Sequence, residues 1–205
     1  MLITFEGIDG SGKTTCATAL QTFLSQKCGR SVVRLREPGG TPLGEKIRNI
    51  LTDELSDISD PTTEFLLFSA ARKKNKEQIE SYLNQGYIVI MDRYFDSSVA
   101  YQGAKKVPAV LISTVNQHVI VKPSLTIYLQ ITPEAAMKRW SHYDEWENKF
   151  SLEYMKEVSS IYDLICNPLL DKRFKIINAD QEFPKVMQSI CSYLVSLTGG
   201  KEWSL

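Results

Sequence analysis

Apolar and polar positions along the 205-residue chain fall into two alternating kinds of run. Five are short and β-prone: "LITFE" (2–6), "SVVRL" (31–35), "YIVIMDR" (87–93), "SLTIYLQI" (124–131) and "FKIIN" (174–178). Between them the apolar residues recur at helical spacing, first at Cys16, Ala19, Leu20, Phe23 and Leu24. Further helices are predicted over 45–52, from Pro61 to about Asn84, over 108–121, from Pro133, up to about Cys166, and over 182–197. Pro61 suits a first helical turn and Gly86 a helix end. Strands alternating with helices predict an α/β fold with a parallel sheet covered on both faces. Right-handed crossovers put the strand C-termini on one edge, where such sheets bind ligands. The loops at Gly7, Arg36 and Asp92 all follow strands, so all three are expected on that edge. "DELSDISD" (53–60) reads as a solvated surface connection, and "SHYDEWENKF" (141–150) as a mobile segment. The tail "TGGKEWSL" is expected to fray.

The loop after the first strand carries candidate chemistry. "FEGIDGSGKTT" (5–15) fits G-x-x-x-x-G-K-[ST] through Gly7, Gly12, Lys13 and Thr14. It lies between a predicted strand and a predicted helix, the context a phosphate cradle requires. Gly7, Gly10 and Gly12 let the backbone approach an anion with no Cβ in the way. Backbone N–H groups and the helix N-terminus then favour the negative charge. Lys13 is placed to reach the β and γ phosphates, and the Thr14 hydroxyl to ligate Mg²⁺.

Composition narrows the partners. Lys plus Arg number 24 and Asp plus Glu 24, so no global field favours nucleic acid or a membrane surface. An anion site must therefore be built from a few placed cations. Cys16, Cys28, Cys166 and Cys191 show no C-x-x-C pairing, and with only His118 and His142 a structural zinc site is not expected. No apolar run approaches the ~18 residues of a membrane span. With the first strand beginning at residue 2, no signal peptide is expected, and a cytoplasmic protein is the default reading.

Two further groups bear on the loop. Asp92 ends a buried strand, where a carboxylate serves either as a strand-end cap or as a group facing Mg²⁺; the P-loop favours the second. Arg93 follows it on the same edge and suits a phosphate clamp. Phe68 and Arg72 stand four residues apart on one helix face. They are either a core aromatic beside a surface charge or a stacking platform beside a hydrogen-bond donor.

The set "FEGIDGSGKTT", "REPGGT", "GEKIRNIL", "LLFSAAR", "DRYFDSSVAYQG" and "LTIYLQITPE" resembles thymidylate kinases of the bacterial type, in order and spacing over nearly the whole chain. The resemblance implies a P-loop nucleotide-kinase three-layer fold with a five-stranded parallel sheet, a single domain over 1–205, and a mobile flap at about 139–150. It implies transfer of the γ-phosphoryl of ATP to dTMP, giving dTDP, with Mg²⁺, and a homodimer. By the same resemblance Gly7, Ile8, Asp9, Gly10, Ser11, Gly12, Lys13, Thr14 and Thr15 hold the ATP phosphates, and Thr14 and Asp92 face the metal. Arg36 and Arg93 grip the dTMP phosphate with Arg48 close by, and Asp9 lies near the acceptor sugar and Arg93. Phe68 stacks on thymine, Arg72 bonds its O4 edge, and Ser98 and Gln102 face the base. Tyr101 crowds the ribose 2′ position. Glu37 orients an arginine or a metal-bound water.

One departure stands out. Relatives with no basic residue inside the P-loop carry a catalytic arginine in the flap, yet this flap reads "YDEWENKF", with Asp144, Glu145 and Glu147 in its place. An arginine finger contributes about 10³-fold or more. Arg139 is the substitute expected here, with Lys149 second. Rival readings are another small P-loop nucleotide or nucleoside kinase, a GTPase switch, and a nucleotide-binding protein without turnover. The GTPase requires N-K-x-D, and the only "NK", Asn75–Lys76, continues with Glu77 and Gln78.

Overall fold

The structure is a computed structural model and describes residues 1–53, 58–139 and 150–198. Residues 54–57 of the acidic connection, 140–149 of the proposed flap with Asp144, Glu145, Glu147 and Lys149, and the tail from 199 lie outside the described residues.

Five strands form one sheet: β1 (Leu2–Glu6), β2 (Val32–Arg36), β3 (Ile88–Asp92), β4 (Leu125–Gln130) and β5 (Phe174–Asn178). They run in the order β2-β3-β1-β4-β5, and every pairing is parallel. The near-continuous apolar strands follow from burial on both faces. Ile3 and Phe5 pack with Leu20 of α1 (Lys13–Thr22) and Ile190 of α8 (Phe183–Thr198). Leu2, Val89 and Met91 point the other way, onto Ile79 of α3 (Pro61–Asn84). This is the parallel sheet covered on both faces expected from the alternation of elements, and the five-stranded three-layer arrangement that the resemblance implies.

The remaining described helices are α2 (Pro42–Thr52), α4 (Phe95–Ala104), α5 (Ala109–Val119), α6 (Pro133–Met137) and α7 (Leu152–Ile165). Two differ from the sequence pattern. The second begins at Pro42 rather than Glu45, because the Thr41 side chain accepts from Gly44 N and Pro42 enters the first turn. Residues 95–104, for which the pattern predicts no element, form α4; its buried positions include Asp96, Ser98 and Gln102, so polar residues break the apolar period. The first helix also ends in a π-helical turn, Phe23–Lys27. No helix among the described residues is long and apolar enough to cross a membrane.

Strand order is what positions the site. In the register, Asp92 lies beside Phe5 of β1 on one side and Arg36 of β2 on the other. The three predicted loops thus leave neighbouring strands.

Candidate active site

The loop after β1 is held by its glycines. Gly7, Gly10 and Gly12 have φ of 142°, 81° and 91°, conformations that L side chains rarely adopt. A Cβ on Gly7 would also sit 2.7 Å from the Leu129 carbonyl oxygen of β4. Left-handed Gly12 caps α1 and opens its N-terminus toward the cleft. Lys13 Nζ donates to Ile8 O at 2.8 Å and to Ser11 Oγ at 3.4 Å, folding over its own loop. Thr14 Oγ1 donates to Asp92 Oδ2 at 2.6 Å, joining the first turn of α1 to the end of β3.

Arg93 follows Asp92 in a left-handed conformation, φ 65°, which costs an L residue roughly 1–2 kcal/mol. β1 holds the turn: Arg93 N donates to Phe5 O at 3.1 Å, and Tyr94 N to Glu6 Oε1 at 2.8 Å. The bend carries the Arg93 guanidinium back to Asp9, with which it pairs. Tyr101 completes the group, its hydroxyl donating to Asp9 Oδ2 at 2.7 Å and accepting from Asp9 N at 3.0 Å. The rings of Phe150, Tyr154 and Tyr162 surround that of Tyr101 at 6.1–6.3 Å between centroids. Burial opposes ionisation of Asp9, but the charges of Arg93 and Lys13 outweigh it and hold the carboxyl below its ordinary value. Arg93 loses solvation on burial, yet the Asp9 charge keeps its pKa well above the ordinary value.

On the β2 side, Arg36 donates to Glu45 Oε2 at 2.8 Å, while Glu45 Oε1 accepts from Gly40 N at 2.9 Å. Arg48 Nη1 donates to Pro38 O at 3.3 Å; burial, with Arg36 second, lowers its pKa. Arg72 is 1% exposed and Glu37 5%. Arg72 Nε donates to Glu37 Oε2 at 2.8 Å, Nη1 to Asn116 Oδ1 at 3.2 Å, and Nη2 to Ser98 Oγ at 2.9 Å and Tyr94 O at 3.5 Å. Glu37 thus pairs with Arg72 through Oε2, and its Oε1 has no hydrogen-bond partner among the described residues. A guanidinium has five N–H groups, and these bonds leave one on Nη1 uncommitted.

These groups line one cleft of about 1190 Å³. Asp9 to Thr15, Arg36, Glu37, Arg48, Phe68, Arg72, Asp92, Arg93, Ser98, Tyr101, Gln102 and Arg139 all border it. Gly7 and Ile8 do not; they contribute through their carbonyls, which accept from Arg93 and Lys13. The cleft follows the sheet edge from the β2 side past the central P-loop to residues 179–186 after β5. Arg139 belongs to that far side, donating to Ala179 O at 2.8 Å. Single-ligand pockets occupy about 300–1,000 Å³, so this cleft is larger than that range.

Sequence reasoning missed Glu45, Glu64, Asn116 and Glu6. Asn116 left a faint signal, an amide in the apolar stretch "AVLISTVNQHV" that is buried in α5. Glu64 meets Gln102 and Lys105 only across the fold, whereas Glu45 meets Arg36 and Gly40 across the turn between β2 and α2.

A P-loop on the central strand, cations from neighbouring strand ends and one long cleft that joins them define a P-loop nucleotide kinase. The comparisons with known proteins narrow the class. A family model described as thymidylate kinase matches residues 5–190. The chain is similar to the thymidylate kinase of Thermoanaerobacter sp. (strain X514), 41% identical over 194 residues, covering 92% of this chain and 94% of that one. It is 38% identical over 198 residues to the thymidylate kinase of Bacillus licheniformis, covering 93% and 92%. The crystal structure of thymidylate kinase from Ehrlichia chaffeensis superposes with a TM-score of 0.77 at 33% identity, covering 95% of this chain and 98% of that one. The chain belongs to the thymidylate kinase family.

Proposed function

We propose that the protein is an ATP-dependent dTMP kinase, transferring the γ-phosphoryl group of ATP to dTMP to give dTDP. The observation that carries this reading is the single cleft that Lys13, Arg36 and Arg93 border together. ATP lies with its phosphates on the P-loop and its base toward the β5 side. The acceptor lies on the β2 side, its phosphate between Arg36, Arg93 and Arg48, and its base against Phe68, Arg72, Ser98 and Gln102. We assign the Tyr101 ring, hemmed in by three aromatic neighbours, to the ribose 2′ position, where its bulk would disfavour an added hydroxyl.

An acceptor phosphate oxygen attacks the γ-phosphorus in line, and the bond from that phosphorus to the β,γ-bridging oxygen breaks, releasing ADP. Such a transfer asks the protein for positioning and charge neutralisation. Lys13 has three donors; turning from Ser11 Oγ, it reaches the donor phosphates. Arg36 and Arg93 offset repulsion between the two anions. The acceptor phosphate is already ionised near neutral pH, so no general base is required. Arg139 is the cation we assign to the missing flap arginine, within a single kinase domain.

The donor set fits Mg²⁺. Among the described residues no cluster of three or more His, Cys, Asp or Glu exists that could enclose a metal, but Mg²⁺ takes one or two protein oxygens and completes its shell with water and phosphate. The Thr14 hydroxyl and the Asp92 carboxylate, 2.6 Å apart, supply those oxygens. Bound there, the ion would neutralise charge on the β and γ phosphates. A homodimer is supported by Leu43 and Ile50 of α2 and Leu66 of α3, which are 46–49% exposed on two helices that pack together. The substrates imply a cytoplasmic enzyme.

The test is ADP release with dTMP, dUMP, dCMP, UMP and AMP offered separately. dTMP is expected to be the best acceptor, and Lys13→Ala to reduce the rate at least about 10²-fold. Turnover with UMP or AMP above dTMP would replace this reading with another nucleotide kinase; ATP binding without turnover would leave only a nucleotide-binding protein.

A further inference from the structure

Glu64, Phe68 and Arg72 stand at four-residue intervals on α3 and all border the cleft. Glu64 Oε1 accepts from Gln102 Nε2 at 3.1 Å, and its Oε2 pairs with Lys105. Gln102 is 3% exposed. Its Oε1 accepts no hydrogen bond from the described residues.

The chemistry of these groups fixes a direction. A carboxylate only accepts, whereas an amide has a donating and an accepting end. Beside Glu64, the Gln102 amide settles with its NH₂ toward the carboxylate, and its oxygen is left for the cleft. Reversing the amide would set two acceptors against each other and leave the NH₂ without that partner, both of which are unfavourable for buried groups. The base end of the cleft then presents a donor from Arg72 and an acceptor from Gln102. A 4-oxo pyrimidine offers the complement, an O4 acceptor beside an N3–H donor. Cytosine offers the reverse, an amino donor at position 4 and an acceptor at N3.

We infer that Glu64 is a positioning residue for base selection: it locks the Gln102 amide so that the cleft takes thymine or uracil and refuses cytosine. This rests on the dTMP-kinase reading above. Glu64 reaches the base only through Gln102, so its effect falls on discrimination between acceptors.

The experiment measures kcat/KM for dTMP, dUMP and dCMP with the wild-type protein, Glu64→Gln and Lys105→Met. An amide at position 64 tolerates either orientation of Gln102. Glu64→Gln is expected to raise the dCMP-to-dTMP ratio about tenfold or more, the equivalent of losing one orientation penalty. The dUMP-to-dTMP ratio should not move, because uracil and thymine share the N3 and O4 edge. Lys105→Met removes the ion pair but keeps the acceptor, and should leave both ratios unchanged. Each ratio is internal to one preparation, so partial unfolding cancels. A dCMP-to-dTMP ratio in Glu64→Gln within about twofold of wild type would overturn the inference, as would an equal rise in Lys105→Met. A wild-type protein that releases no ADP with dTMP would overturn the functional reading instead.

Discussion

Raising the pH is expected to weaken the fold through one carboxylate, Glu6, at the end of β1. It is fully buried, its Oε1 accepting from Tyr94 N at 2.8 Å and its Oε2 from Ser97 Oγ at 2.6 Å and Tyr162 OH at 2.9 Å. Burial, then the like charge of Asp96, raises its pKa from 4.5 to about 7, against the opposing pull of its hydrogen bonds and Arg93. The folded protein therefore keeps a proton that the unfolded chain releases near 4.5. Stability from this group is complete below that value, declines as pH rises toward 7, and is gone above it. At 1.36 kcal/mol per factor of ten, the difference amounts to roughly 3 kcal/mol. For a chain of this length that is roughly 10 °C in Tm. Urea unfolding between about pH 5 and 8 checks it, comparing wild type with Glu6→Gln. The offset between the two proteins reports lost hydrogen bonds; the change of that offset with pH reports the Glu6 carboxyl together with its interaction with Asp96. Asp96, whose pKa burial also raises, contributes a slope of the same sign in wild type and remains in the variant. If the two proteins keep a constant stability difference across the range, the carboxyl is not titrating there and the reasoning fails.

Three further outcomes follow from the site. Gly7→Ala sets a Cβ 2.7 Å from the Leu129 carbonyl oxygen at φ 142°, so it should remove ATP binding, measured by calorimetry, and lower Tm. Tyr101→Phe deletes the hydroxyl that bonds Asp9 twice and should cost about 1–3 kcal/mol of stability; preference for the deoxy acceptor should survive, because the ring does the excluding, and a loss of that preference would transfer the role to the hydroxyl. Arg139→Ala is expected to lower kcat far more than it raises KM. Should KM for ATP rise with kcat unchanged, Arg139 is a donor-binding group, a result its bond to Ala179 O on the β5 side would explain.

Much of the fold was legible because strands and helices carry different periods. All five strands were found close to their observed ends: β1, β3 and β4, buried on both faces, read as continuous apolar runs, and the half-buried edge strands β2 and β5 still carry short β-prone runs. The P-loop was equally plain, its glycines, lysine and threonine being adjacent in the chain. α4 was not, because its inward face carries Asp96, Ser98 and Gln102, whose burial is tolerated only through partners elsewhere: Arg173 for Asp96 and Arg72 for Ser98. Phe68 and Arg72 shared a helix face in the sequence, but nothing there told that Arg72 is sealed inside by Glu37 and Asn116.

The sequence by itself determined the succession of the five strands and the loop that cradles phosphate, because each depends on neighbours within a few residues. The tertiary structure decided how the side chains around that loop are aimed. Arg93 turns onto Asp9 because β1 holds its strained turn, Glu37 meets Arg72 across 35 positions, and Glu64 meets Gln102 across 38. Such pairings are fixed by strand order and by the need of every buried charge for a counter-charge or hydrogen-bond partner, and that need is met through space, where spacing along the chain gives no guide.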